Sequence, residues 1–295
     1  MAGILELVGS TPLVEIDKLN PHAHVKIYGK LEGQNPGGSV KDRAAYSMIR
    51  GAIDRGELKD GMRLVEATSG NTGIALAMIA AQFDIPITLI MPESATKERV
   101  QTMQSYGAEV VLTPAAKTIE YSREYADSLV EKGGYLMLNQ FANPDNWKAH
   151  YRTTGPEIWQ ATKGKITHFV SSMGTTGTIM GTSRYLKEQN PDVQIVGVQP
   201  VEGSRIPGIR RWSPEFLPKI FEPERVDKII DVSQLEATQN MQRLAKEESI
   251  FGGMSSGGAV TAALKLAETL EEDAVVVCII CDRGDRYLSS GIFGI

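Results

Sequence analysis

Short apolar runs alternate along the chain with longer stretches in which apolar positions recur three and four residues apart. The runs at 65–67, 87–91 and 110–112 predict buried strands, and the stretches at 72–83, 96–106 and 118–132 that follow them predict helices. Strand followed by helix, repeated, is the pattern of a mostly parallel sheet covered on its faces, so the fold class is α/β. Between residues 139 and 162 the pattern is broken by Pro144, Gly155 and Pro156, which predicts a domain junction near residue 145. Strands resume at 169–171, 195–199 and 275–281. Residues 202–223 hold prolines and glycines without periodicity and predict a long loop of the kind that often carries function.

The 295 residues leave room for about two domains with their own cores. A net charge of -5 with mixed signs argues against a general nucleic-acid binder, which needs clustered Lys and Arg. No apolar run approaches a membrane span, and residues 1–9 lack a basic segment followed by an apolar one, so a cytoplasmic location is expected. Cys278 and Cys281 form a CxxC string inside a Val- and Ile-rich run. On one strand, residues three apart face opposite sides about 10 Å apart, too far for a disulfide, so two packed thiols are expected. His22, His24, His150 and His168 show no metal-ligand spacing, and no metal is expected.

Four glycine-rich turns share one design: residues 35–39 (NPGGS), 68–73 (TSGNTG), 174–178 (GTTGT) and 252–258 (GGMSSGG). Each leads into a predicted helix, where unpaired amides and the helix dipole attract anions. Together they suggest an anionic ligand held between strand ends. Lys41 follows the first turn, with Ser39 as a helix cap and Asp42 spaced to reach back to it. A lysine in a first helical turn opposes the macrodipole, which lowers its pKa and suits an amine that forms a Schiff base. Position alone favours a solvated surface lysine, and Asn71 and Ser255 each also fit as helix caps.

The strings GSTPLV (9–14), KLEGQNPGGSVKDRAA (30–45), EATSGNTGIALA (66–77), MGTTGT (173–178) and IICDRGDRYLS (279–289) run through nearly the whole chain. In this order they resemble the cysteine synthase family, the β-replacement branch of the fold-type II pyridoxal-phosphate enzymes. The loop PGIRRW at 207–212 resembles that of the family's B-type members. The resemblance implies two domains, each a mostly parallel twisted sheet flanked by helices. The smaller is a mobile substrate-binding domain over 39–145. The larger holds the cofactor phosphate and spans 1–38 and 146–295.

It implies pyridoxal 5'-phosphate as cofactor, with Lys41 as its Schiff-base partner and afterwards the base that moves protons. Asn71 is expected to hydrogen-bond the cofactor's phenolic oxygen. Gly174, Thr175, Thr176, Gly177 and Thr178 are expected to hold the phosphate, and Ser255 to meet the pyridine nitrogen. A hydroxyl there leaves the ring largely neutral, which favours elimination to an α-aminoacrylate over a long-lived quinonoid. Asp282, the rival for that position, reads as a turn and ion-pair residue. Thr68, Ser69, Gly70 and Thr72, helped by Gln140, are expected to bind the substrate carboxylate, and Arg210 to select the sulfur donor at the site's mouth.

The implied reaction is β-replacement on O-acetyl-L-serine by sulfide, and by thiosulfate as well, in a homodimer. Other readings are a bacterial-type cystathionine β-synthase, an O-phosphoserine sulfhydrylase, and a non-catalytic binding partner of serine acetyltransferase. Lys41 speaks against the last.

Overall fold

The computed structural model describes residues 3–68 and 70–293, without the side chain of Thr118. The chain enters through β1 (Leu13–Glu15) and β2 (Val25–Leu31), then α1 (Lys41–Asp54). Next come β3 (Arg63–Ala67), α2 (Asn71–Gln82), β4 (Ile87–Pro92), α3 (Lys97–Ser105), β5 (Glu109–Thr113), α4 (Thr118–Lys132) and β6 (Tyr135–Met137). The strand–helix units expected before residue 135 are all present, with ends shifted by one or two residues. Two short helices, α5 (Pro144–Arg152) and α6 (Thr154–Ala161), occupy the segment where the pattern breaks. They are followed by β7 (His168–Ser172), α7 (Gly177–Gln189), β8 (Gln194–Pro200), β9 (Lys228–Val232), α8 (Gln234–Glu248), α9 (Met254–Ala267) and β10 (Ala274–Ile280).

Among the described residues the strands form two sheets, in the orders β1-β2-β10-β7-β8-β9 and β5-β4-β3-β6. Every pairing is parallel except that of β1 with β2. Central strands such as β4 (ITLIMP) are buried throughout, because helices cover both faces and leave no side for polar residues. In the four-stranded sheet, α1 and α2 pack Ile49, Ile74, Leu76 and Ile79 against Leu89 of β4, while Ala126 of α4 closes the other face on Val65 and Ile90. Each such fully buried aliphatic side chain contributes roughly 1.5–3 kcal/mol from desolvation.

In the six-stranded sheet, α8 and α9 cover one face, with Met241, Leu244, Val260 and Ala263 against Val196 and Val276. Residues Ile158, Ile179 and Leu186 of α6 and α7 cover the other. Gly257 lets α8 and α9 touch, since a Cβ there would stand 2.0 Å from the Ala237 carbonyl oxygen. The four glycine-rich turns all lie at strand ends or just before helices. Cys278 is buried within β10 and Cys281 lies just past its end, both as free thiols. Burial pushes each up to about 12.

Candidate active site

Lys41 is the first residue of α1 and is held there by the chain beyond β10. Ser39 bridges Asp282, the Val40 amide donates to the Cys281 carbonyl at 2.8 Å, and the Lys41 amide donates to the Ser39 hydroxyl at 3.2 Å. Asp42 passes Ser39 by: its carboxylate accepts the Gly37 amide at 2.5 Å, which corrects the capping expected from sequence. It therefore fastens the NPGGS turn to the helix. Burial lowers the Lys41 pKa, and the neighbouring Cys281 and Asp282 oppose the fall. Desolvation thus supplies the depression that spacing alone ascribed to the macrodipole.

Asn71 opens α2, and both ends of its amide are engaged. Its Nδ2 donates to Asp282 Oδ2 at 2.7 Å, and its Oδ1 accepts from Arg286. Asp282 is buried, takes a second hydrogen bond from the Tyr287 hydroxyl at 2.5 Å, and has no partner on Oδ1. Burial raises its carboxyl pKa, and Tyr287 and Asn71 oppose the rise. The ion-pair role expected for it falls elsewhere, since Arg283 pairs with Asp285 at 3.3 Å.

The GTTGT turn leads into α7. Thr176 has a φ of 70°, in the left-handed region that aims successive amides to one side. Thr175 Oγ1 accepts from Asn146 Nδ2 at 3.0 Å and from the Gly177 amide at 3.4 Å, and Thr178 meets His150 Nε2 at 3.3 Å. His150 is buried and its pKa falls to about 3, through burial first and then Arg43, so it stands neutral. Gly174 leaves no room for a side chain, because a Cβ would lie 2.7 Å from the Gly208 carbonyl oxygen. The Thr176 hydroxyl is buried without a partner.

Ser255 lies in the first turn of α9, buried, with Ser172 donating to its carbonyl at 2.9 Å; a Cβ at Gly208 would stand 3.4 Å from its hydroxyl. Thr68 is buried with its hydroxyl 3.5 Å from the Gly70 amide, and the Thr72 hydroxyl donates to Gln140 Oε1 at 2.8 Å. A side chain at Gly70 would meet open space. Ser69 lies outside the described residues.

Arg210 adjoins the GTTGT turn, its amide donating to the Met173 carbonyl at 2.8 Å, and it lies on the wall of a cleft of about 1220 Å³ formed by the 200–219 loop and by Glu120, Arg123 and Phe141. Its guanidinium lies 5.3 Å from the Trp212 ring centre, and the Trp212 ring meets Phe141 edge-on at 5.7 Å. Burial and the charge of Arg123 lower its pKa, and Glu120 raises it. Lys41 and Ser255 do not line this cleft, but its wall adjoins the site: a Cβ at Gly208 would stand 3.3 Å from the Ser255 Cβ, and Trp212 Nε1 donates to the Gly174 carbonyl at 2.8 Å.

The chain that leaves β10 is what Lys41, Asn71 and Ser255 share: Cys281 lies beside Lys41 and Ser255, and Asp282 takes the Asn71 amide. Sequence reasoning weighed Asp282 only as a rival to Ser255 and a turn residue, and did not single out Arg286 or Tyr287, which with Asp282 surround the Asn71 amide. Their only signal was the string IICDRGDRYLS, whose partners lie more than 200 residues away in sequence.

A desolvated lysine, an asparagine amide and a serine hydroxyl at one strand end, with an anion cradle at the start of α7, suit an α/β enzyme that uses a phosphorylated cofactor. The orphaned Thr176 hydroxyl and the N-terminus of α7, where among the described residues only the Gly177 amide meets a side chain, at 3.4 Å, fit a phosphate. Residues 4–282 match the family described as pyridoxal-phosphate dependent enzyme. Cysteine synthase B of Pseudomonas aeruginosa is 59% identical over 290 residues, covering 98% of this chain and 97% of that protein. Cysteine synthase B of Escherichia coli K12 is 55% identical over 294 residues, covering 100% and 97%. The crystal structure of cysteine synthase from Entamoeba histolytica superposes with a TM-score of 0.94 at 38% identity, covering 100% of this chain and 91% of that one. The chain belongs to the pyridoxal-phosphate dependent enzymes, in the branch of the cysteine synthases, and its cofactor is pyridoxal phosphate.

Proposed function

We propose that this protein makes L-cysteine from O-acetyl-L-serine and sulfide, and that it also accepts thiosulfate to give S-sulfocysteine. The observation that carries the reading is that Lys41, with its lowered basicity, Asn71 and Ser255 all lie against the same strand end, Lys41 and Ser255 beside Cys281 and Asn71 bonded to Asp282. It comes in a chain 59% identical to a cysteine synthase B. In this reading residues 174–178 hold the cofactor phosphate, Asn71 donates to the phenolic oxygen and Ser255 faces the pyridine nitrogen. When bound, pyridoxal phosphate supplies an electron sink for charge developing at the substrate Cα.

Lys41 takes the proton from the substrate Cα as acetate leaves Cβ, and returns one to Cα after hydrosulfide has bonded to Cβ. A lowered pKa matches an amine that must be neutral to act as a base near neutral pH. Thr68, Ser69, Gly70 and Thr72 bind the substrate carboxylate, and the Thr72 to Gln140 hydrogen bond supports that turn. Gln140 acts from the segment that joins the two sheets. Residues 39–145 act as the smaller, moving unit and exclude water as they close over the substrate. Arg210 draws an anionic donor into the cleft. The protein acts as a cytoplasmic homodimer. No helix among the described residues is long and apolar enough to cross a membrane.

Two measurements test the reading. Steady-state rates with O-acetylserine should exceed those with O-phosphoserine, for sulfide and for thiosulfate alike. The Lys41→Ala variant should keep its far-UV spectrum and lose turnover, because no hydrogen bond or ion pair ties the Lys41 ammonium to the fold among the described residues. Near-normal turnover in Lys41→Ala would remove the assignment.

A further inference from the structure

The IICDRGDRYLS string has no role in the reaction just described, yet it touches all three of its central turns. Beyond β10, the Cys281 amide donates to the Ser256 hydroxyl at 2.9 Å, Asp282 bridges Ser39, Arg283 bridges Gly252, and the Gly284 amide donates to the Phe251 carbonyl at 2.9 Å. Arg286 reaches furthest: it donates to the Gly37 carbonyl, in the turn before Lys41, and to Asn71 Oδ1.

We propose that Arg286 is a positioning residue that, with Asp282, fixes which way the Asn71 amide faces. The two ends of an asparagine amide have nearly the same shape, so only their hydrogen bonds decide which is oxygen and which is nitrogen. Here the two partners are of opposite kind. Arg286 can only donate, so it requires oxygen on its side, and the Asp282 carboxylate at 2.7 Å requires nitrogen on the other. A flipped amide would set donor against donor and acceptor against acceptor.

The lock is itself held. Asp282 is fixed by the Tyr287 hydroxyl at 2.5 Å and by its bridge to Ser39, and Arg99 lies 5.4 Å from the Tyr287 ring centre. Arg286 is fixed by its second bond, to Gly37. Asn71 Nδ2 carries two protons and spends one on Asp282, which leaves the other as a donor of settled direction. The inference rests on the assignment of Asn71 to the cofactor's phenolic oxygen, since that oxygen is what the remaining proton serves.

The test compares holoenzymes of the wild type, Asn71→Ala, Arg286→Ala, Arg286→Lys and the Asn71→Ala/Arg286→Ala double variant, by the absorption spectrum of the bound cofactor and by its Kd. Arg286→Ala should move the absorption band in the same direction as Asn71→Ala and weaken cofactor binding by on the order of tenfold. Neither effect should grow in the double variant, because both act through one amide. Arg286→Lys should fall between, since an ammonium lacks the fork that reaches both oxygens at once. If Arg286→Ala does not yield folded protein, Arg286→Lys and Arg286→Gln carry the same comparison. Wild-type spectra and Kd in the Arg286 variants, with an altered Asn71→Ala, would overturn this inference alone. Shifts that add in the double variant would overturn it too, by showing that Arg286 acts directly. An unchanged spectrum in Asn71→Ala would remove the Asn71 assignment together with it.

Discussion

Arg43 and Glu32 form a two-bonded fork at 2.7 and 2.8 Å with side chains 1% and 0% exposed, joining α1 to the turn after β2. Arg43 also binds Glu157 with two bonds of 2.7 Å, and Lys30 closes the group on Glu157 at 2.6 Å. Burial would raise the Glu32 carboxyl, but the Arg43 charge and hydrogen bonds outweigh it and hold the pKa below its ordinary value. Since Arg43 is two residues past Lys41, this cluster anchors the helix that presents the reactive amine.

Arg43→Met should therefore destabilise the protein by about 3–5 kcal/mol, because it leaves the Glu32 carboxylate buried and unpaired. Urea denaturation of the holoenzyme measures this. Glu32→Gln, which keeps the shape and removes the charge, should cost less than Arg43→Met, and the reverse order would show that the pair is not the anchor.

Glu157 gives the cluster its pH dependence. Burial would raise its pKa, but hydrogen bonds and charge from Arg43 and Lys30 bring it to about 2. The folded value is thus below the unfolded value of about 4.3. The stabilisation is complete above that unfolded value and is lost as pH falls towards 2. The urea midpoint of the wild type should exceed that of Glu157→Gln at pH 7, and the gap should shrink between about pH 5 and 3. Protonation of His150, brought to about 3 by burial first, weakens both proteins in acid, and because the Glu157 charge raises that pKa the gap is read above pH 3. A gap that does not change with pH would rule out the linkage.

Ser255→Asp should change the absorption spectrum of the bound cofactor and slow β-replacement by roughly tenfold or more, because a carboxylate facing the pyridine nitrogen keeps it protonated. Ser255 is buried beside Gly208, so the added charge cannot turn out to solvent. The pH dependence of the spectrum should shift with the substitution. An unaltered spectrum and rate in Ser255→Asp would show that another residue faces the ring nitrogen.

Arg210→Ala should lower kcat/KM for thiosulfate by roughly tenfold, equivalent to about 1.4 kcal/mol, with a smaller loss for sulfide. A guanidinium can bind the oxygens of thiosulfate in fork geometry and offers less to small hydrosulfide. Arg211 is the comparison, because its charge is already taken up by Asp231 at 2.5 Å and by the Pro200 carbonyl at 2.8 Å. Equal losses for both donors, or a larger thiosulfate loss in Arg211→Ala, would exclude Arg210 as the selecting residue.

What the sequence by itself determined was whatever depends on neighbours a few residues apart. Strand and helix alternate because apolar spacing switches between the two periods, and β4 and α2 fall where that spacing places them. The glycine turns and Lys41 at a helix start were legible for the same reason. The tertiary structure alone decided which turns meet. Nothing in the spacing around Asp282 says that parallel pairing sets β10 between β2 and β7, so that the residues leaving it arrive beside Ser39, Asn71 and Gly252. Read locally, Asp282 belongs with its arginine neighbours. In the fold it is buried, and a buried carboxylate takes whatever donors the topology delivers, here the Asn71 amide and the Tyr287 hydroxyl. The Lys41 pKa followed the same rule: its direction was foreseeable from a helix start, but its principal cause is burial, which exists only once the sheets are assembled.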